Sequence, residues 1–318
     1  MCRLVLFLAL AAGLDSAQPQ YELQGRILSE SEGLVYAASV SLFGATTPFH
    51  VDSLSDARGR FRFRGLLPGQ YTVAVFIPGL GEARKTVEVG PGTADCKGRV
   101  AITISIDPPL VSEEAVRDGA VVSARELSIP ESARREYTEA QKRLAQRDTA
   151  AAVAHLLKAV AISPLFSAAW NNLGTIAYQI RDYPDAEADF RKALGPDPHA
   201  FEPLVNLGGV LLTERKNEEA LPYNLNAAMS RPNDALANAQ LGMNYFALGN
   251  LDQSEKYLQM AKRIDPAHFS HPQLTLAQIY LRRHQHAKAV EELRDFLRRH
   301  PDSPQAATVR DELLKLDK

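Results

Sequence analysis

Along residues 21–106 the apolar positions fall in short alternating runs. Tyr21–Leu28, Ala38–Phe43, Arg60–Phe63, Tyr71–Ile77, Lys85–Val89 and Val100–Ile106 are such runs. Side chains on a strand alternate between two faces, so this pattern buries one face and leaves the other wet. Turn-rich stretches separate the runs: Gly44–Pro48, Asp56–Gly59, Pro68-Gly69, Pro78–Gly81 and Gly90–Gly92. The spacing predicts a β-sandwich of six or seven strands, with Phe61, Phe63, Tyr71, Val73 and Val75 facing a common core.

Beyond residue 130 the period changes. Five prolines, Pro164, Pro198, Pro232, Pro266 and Pro301, stand 34, 34, 34 and 35 residues apart. Small residues recur in register with them: Ala140, Gly174, Gly208, Gly242 and Ala277 in one column, and Ala152, Ala186, Ala220, Ser254 and Ala289 in another. A third column reads Ala159, Ala193, Ala227, Ala261 and Phe296. Leu173, Leu207, Leu241 and Leu276 precede four of the small residues. Small residues at fixed places let antiparallel helices approach closely, and the leucines fill the seam. A period of this size marks a stacked helical array. The copies run 133–166, 167–200, 201–234, 235–268 and 270–302. Val309, Leu313, Leu314 and Leu316 predict a capping helix over 303–317. Pro222 falls inside a helix and removes one of its hydrogen bonds.

The columns resemble the tetratricopeptide repeat. Trp170, Leu173, Gly174, Ala186, Phe190 and Pro198 fall where that family's pattern wants them; the aromatic expected after Gly174 is displaced by one, from Ala177 to Tyr178, and Tyr245 is in place in the fourth copy. The first copy departs from the pattern, with Glu136 and Glu139 where Trp and Leu are expected. The N-terminal part resembles the carboxypeptidase regulatory-like domain. Asp56-Ala57-Arg58-Gly59-Arg60-Phe61-Arg62-Phe63 and Leu66-Leu67-Pro68-Gly69-Gln70-Tyr71-Thr72-Val73 carry that likeness, with Gly25 and the Ala38–Leu42 run. The resemblances imply a multi-domain chain: an all-β transthyretin-like (prealbumin-like) sandwich over 18–106, then an all-α superhelical solenoid. Residues 107–130 are read as a linker anchored by Val121–Ile129, 131–302 as five repeats, and 303–318 as a cap. Despite its name, the first family implies no peptidase chemistry.

The repeat resemblance also implies a concave groove lined by first helices. It places Asn171, Asn172, Thr175, Tyr178, Asn206, Gln240, Met243 and Phe246 there, with Gln179, Val205, Gly209 and Leu212. Asn172, Asn206, Gln240 and Thr275 share one repeat position. Amides both donate and accept, so this row reads either as a ladder for an extended peptide backbone or as local bonding within the array. A charged clamp for acidic tails is not supported, because Tyr137, Gln141, Asn172, Glu202 and Asn206 hold the relevant positions.

Export is expected from the N-terminus. The apolar run Leu4–Leu14 is too short to span a bilayer and suits a secretory leader ending near Ala17, so residues 1–17 are read as a signal peptide; Asp15 is unusual so near that site and leaves cleavage after Ala12 or Gly13 open. No membrane span is expected once it is removed. Of the two cysteines, Cys2 would go with the leader and leave Cys96 without an intramolecular partner. Lys and Arg number 36 against 38 acids, which gives no push toward nucleic acid. His268 and His271 precede a predicted helix while His284 and His286 follow it, about 20 Å away at 1.5 Å per residue, so no shared metal site is expected. Arg282, Arg283, Lys288, Arg294, Arg298 and Arg299 make the fifth copy basic, as a solvated face or toward an acidic partner. No catalytic constellation and no cofactor motif is read.

The expected function is that of an exported scaffold, periplasmic or extracellular and not an enzyme. Its groove takes a protein or peptide segment that the sandwich anchors or orients. The alternative is a carbohydrate-associated binding protein whose sandwich engages an envelope polysaccharide; Tyr36, Phe43, Phe49 and Phe76 could form a platform for it, although aromatics in strands usually pack in the core or at an edge.

Overall fold

The structure is a computed structural model; it describes residues 19–29, 38–77, 81–106 and 128–316. The expected leader, Tyr36 and the linker up to residue 127 lie outside the described residues. The first unit has seven strands: β1 (Tyr21–Ser29), β2 (Ser39–Gly44), β3 (His50–Leu54), β4 (Arg60–Leu66), β5 (Gly69–Ile77), β6 (Gly81–Val89) and β7 (Arg99–Ile106). They form two sheets, ordered β4-β1-β7 and β3-β2-β5-β6. All pairs are antiparallel except β1 with β7, which run parallel in the register Leu23↔Val100 to Ser29↔Ile106. Phe61, Phe63, Tyr71, Val73 and Val75 meet in one buried core with Leu23, Leu42 and Ile104. Gly25 makes room for Phe61: a Cβ there would lie 1.9 Å from the ring.

The strand without a counterpart in the sequence reading is β3. His50-Val51-Asp52-Ser53-Leu54 has little apolar alternation, and none of these residues is fully buried. It is an edge strand, held by its pairing to β2.

Eleven helices follow among the described residues: α1 (Glu131–Ala145), α2 (Thr149–Ile162), α3 (Ser167–Gln179), α4 (Tyr183–Leu194), α5 (Phe201–Thr213), α6 (Asn217–Ser230), α7 (Ala235–Ala247), α8 (Leu251–Ile264), α9 (Pro272–Arg282), α10 (His286–Arg299) and α11 (Ala306–Leu316). They are five hairpins and a cap. The turn inside each hairpin passes through one left-handed residue, Arg147, Arg181, Arg215, Gly249 and His284 in succession. After three of these stands a capping residue, Asp148, Asp182 or Asn250, whose side chain accepts from the backbone three residues on.

The sequence columns now have physical causes. A Cβ on Gly174 would lie 2.7 Å from the Phe190 ring, and one on Gly242 would lie 2.7 Å from Leu258. The prolines follow each second helix and their carbonyls serve the next repeat. Trp170 Nε1, Asn238 Nδ2 and Gln273 Nε2 donate to the carbonyls of Pro164, Pro232 and Pro266. Helix α6 runs through Pro222. The Phe190 position is taken there by Asn224, fully buried, which donates to Asn244 Oδ1 at 3.1 Å while Asn244 donates to the Asn217 carbonyl at 2.9 Å. Ile129, from the end of the expected linker, packs on the first-repeat core.

The last proline interval, Pro266 to Pro301, is one residue longer than the others. The extra length falls in the loop before α9, where His271 takes a left-handed conformation (φ 49°). That loop turns toward the sandwich.

Candidate functional site

The outer face of the β3-β2-β5-β6 sheet lies against the solenoid, and the two units touch from the first repeat to the last. Among the described residues no buried hydrophobic cluster is shared: one belongs to the sandwich and three to the helices. The seam between them is polar, and its two ends differ.

At the near end, α1 and α3 face β2 and β3 across a cleft of about 340 Å³. Tyr137, Gln141, Asn172, Thr175 and Gln179 line one wall; Ser41, Phe43, His50 and Asp52 line the other. Phe43 stacks on His50 with centroids 4.5 Å apart. Gln179 Nε2 donates to the Gly44 carbonyl at 3.0 Å. The Arg147 guanidinium lies 4.4 Å from the centre of the Phe49 ring and donates to the Tyr71 hydroxyl. Burial raises the Tyr137 phenol above its usual pKa, an effect that a hydrogen bond from Asn172 partly offsets.

At the far end, β6 runs along the loops between repeats. Arg84 pairs with Glu202 at 3.5 Å, and the charge of Asp234 also acts on it. The Thr86 backbone N–H donates to Asp265 Oδ2 at 2.8 Å in a buried bond. His300 Nδ1 donates to Glu88 Oε2 at 3.1 Å, both side chains being buried. Gln70 Nε2 donates to His271 Nε2 at 2.9 Å. Gly92 N–H donates to both carboxylate oxygens of Asp302. The glycines allow this approach: a Cβ at Gly92 would lie 2.7 Å from Asp302 Oδ1 and 3.0 Å from Pro301.

Three imidazoles gather behind this contact. His271 and His300 stand 4.4 Å apart, and the Phe296 ring packs on both. Burial lowers the His268 pKa to about 3; burial, then the nearby His300, lowers that of His271 to about 4. Burial raises the Asp265 carboxyl, against the opposing hydrogen bonds from Thr86. The sequence reading set His268 and His271 against His284 and His286. Their partner is His300, hidden in the position just before a repeat proline. Among the described residues no group of three or more His, Cys, Asp or Glu is arranged to hold a metal ion. Likewise, no helix of the described residues is long and apolar enough to cross a membrane. Cys96 is exposed and free.

The groove candidates are placed as follows. Asn172 Nδ2 donates to the Tyr137 hydroxyl, and Asn206 Nδ2 donates to Asn171 Oδ1 at 2.9 Å. These bonds run laterally between successive repeats. Gln240 is buried, and its Oε1 has no partner among the described residues. Thr175 bonds back to the Asn171 carbonyl, and the exposed Tyr178 reaches Thr213 at 3.1 Å. Met243 and Phe246 pack on the fourth- and fifth-repeat core, with the Arg282 guanidinium 4.2 Å above Phe246. The basic fifth copy is largely paired internally: Arg283 with Asp252 and Glu255, Arg298 and Arg299 with Asp295. Of the aromatic residues considered for sugar binding, Phe49 is in the core, Phe43 covers His50 and Phe76 is exposed.

A carboxypeptidase regulatory-like domain profile matches residues 22–103. Tetratricopeptide-repeat profiles match residues 137–201, 235–268 and 270–310. No curated protein matches the chain. Among solved structures the chain is similar to Pseudomonas aeruginosa PilF (21% identity, 59% of this chain and 85% of that one, TM-score 0.51). It is also similar to PilW, described as a widely conserved type IV pilus biogenesis factor (18% identity, 59% and 91%, TM-score 0.50). A third is MamA from Desulfovibrio magneticus RS-1 (21% identity, 56% and 99%, TM-score 0.49). At these identities the likeness concerns the fold of the helical half. The profiles and the observed architecture together identify the chain as a carboxypeptidase regulatory-like domain followed by a tetratricopeptide-repeat array.

Proposed function

We propose that this protein is a non-enzymatic binding scaffold that receives a segment of another protein at the near end of the seam. The observation that carries the reading is the cleft with one wall from each domain. Its helical wall offers neutral amides and hydroxyls, which can satisfy a peptide backbone without demanding a charge sequence. Its sheet wall offers the Phe43–His50 stack and Asp52, so the sandwich helps form the site and orients what enters it. Binding as the role of such repeats is an inference from the family, since no chemistry of this site establishes it.

A photo-crosslinking residue at Thr175, inside the cleft, tests the reading against one at Leu165, an exposed residue before α3. Adducts formed from Thr175 and absent from Leu165 support it; equal labelling from both would sink it. The polysaccharide alternative has less support, because Phe43 and Phe49 do not form an open platform. A glycan array showing saturable binding would restore it. Export belongs to the same proposal. The mature protein should begin near Gln18, and a cytoplasmic protein retaining Met1 would refute that part.

A further inference from the structure

The far end of the seam has the order of a recognition event. Alternate residues of a strand advance by about 7 Å, and packed helices stand about 8–10 Å apart, so a strand laid across stacked repeats can offer one residue to each. Strand β6 does this. Arg84, paired with Glu82 on its own strand, meets Glu202 within the field of Asp234; the Thr86 N–H meets Asp265, Glu88 meets His300, and Gly92 beyond it meets Asp302. β6 is an edge strand, so the Thr86 N–H faces away from its sheet and is closed by a solenoid carboxylate. Among the described residues no buried hydrophobic cluster crosses the seam. Domain interfaces of that kind are the ones that open.

We infer that this solenoid edge is a strand-reading surface, and that β6 is its resident, self-inhibiting ligand. The partner it fits is an extended segment with a cation, a free backbone N–H two residues on, an acid two residues further, and glycine beyond. Such a segment repeats the charge order Glu202/Asp234, Asp265, His300, Asp302 in complement. It competes with β6 for the edge, and its binding frees the sandwich from the far end while the near end stays joined through Gln179 and Arg147. This inference rests on the scaffold reading above and adds to it the partner's conformation and side-chain order.

The test uses the full chain and a labelled synthetic peptide of residues 82–92. Arg84→Glu sets a carboxylate against Glu202 and Asp234 and loosens β6 while leaving the solenoid edge intact. Gly92→Val does the same by collision with Pro301 and Asp302. Both variants should bind the peptide at least about tenfold more tightly than the unaltered chain, a 1.4 kcal/mol difference. Adding Asp265→Ala to Arg84→Glu should abolish the gain with unchanged helical circular dichroism. A scrambled peptide should show no gain. Equal binding of native and scrambled peptides, or no gain in either variant, overturns the inference. So does peptide-independent dimerisation of both variants, which would assign the edge to a second copy. The peptide reads the far end alone. Thr175 adducts without peptide binding would therefore sink this inference and spare the scaffold, and the opposite pair of results would do the reverse.

Discussion

The second and fifth repeats meet the same sheet in opposite ways. The second offers neutral side chains, keeps an open cleft and touches the sandwich chiefly through Gln179 and a carbonyl. The fifth buries an acid–imidazole pair and sets a second imidazole against Gln70. Neutral hydrogen bonds are worth about 0.5–1.5 kcal/mol net and are easily exchanged with water. Buried ionisable groups tolerate no loss of a partner. Contacts at the near end are therefore individually cheap to exchange, and those at the far end are costly to break one at a time.

The largest expected effect tests whether the far end depends on one ring. Phe296 stands in a column that holds alanine in the other four repeats, and its fully buried ring supports both His271 and His300. Phe296→Ala should cost about 3–5 kcal/mol in denaturant unfolding. Hydrogen exchange at the Thr86 and Gly92 amides should rise while the near end keeps its protection.

Next comes the buried pair. His300→Ala leaves the Glu88 carboxylate buried without its partner and should cost about 3 kcal/mol. The double variant with Glu88→Ala should be less destabilised than the two losses summed. A double-mutant cycle showing simple additivity would mean that the pair is not coupled.

The pH dependence sharpens the same contrast. His268 and His271 have pKa values lowered from 6.5 to about 3 and about 4, so the folded protein binds fewer protons than the unfolded chain. Their contribution is full above pH 6.5 and is lost as pH falls from there toward pH 4. Each group weakens the fold by up to about 1.4 kcal/mol per pH unit in that window. The groups facing them are His300 and, through it, Glu88; the raised carboxyl of Asp265 acts in the opposite sense, taking up a proton more readily when folded. The protection factor of the Thr86 amide, corrected for the intrinsic fall of exchange with pH, should drop between pH 6.5 and 4.5 by more than those at the near end.

The smallest of these effects concerns the amide row. Asn172→Ala and Asn206→Ala each remove one lateral bond and should lower stability by about 1 kcal/mol. Gln240→Ala should cost less, because its Oε1 has no partner to lose among the described residues. If the melting temperature is unchanged while partner affinity falls, the row is a peptide ladder after all.

The repeats were legible because a structural unit recurs every 34 residues and each column has a steric cause, such as Gly174 beneath Phe190. Strand β3 was not, because an edge strand facing solvent and a polar seam needs no apolar alternation. The groove positions followed from the repeat, but the lateral bonds of Asn172 and Asn206 did not, since an amide serves groove and neighbour equally. The far end was hidden for another reason. Its contacts join residues some 200 positions apart, as with Gln70 and His271, using side chains that would look equally at home in water. Asn224 did leave a signal, a polar residue in the column of Phe190 and Leu258.

The left-handed turns have a consequence for protein engineering. Arginine in that conformation is strained, and glycine would relieve it at an entropic cost smaller than the strain, for a net gain of about 0.5–1 kcal/mol per turn. Gly249 already provides that relief in the fourth hairpin. Arg181 and Arg215 are therefore sites where heat resistance could be added without altering a single contact of the seam. Arg147 is different: its strained backbone sets the guanidinium over Phe49 and Tyr71, so glycine there would exchange grip on the sandwich for rigidity of the turn.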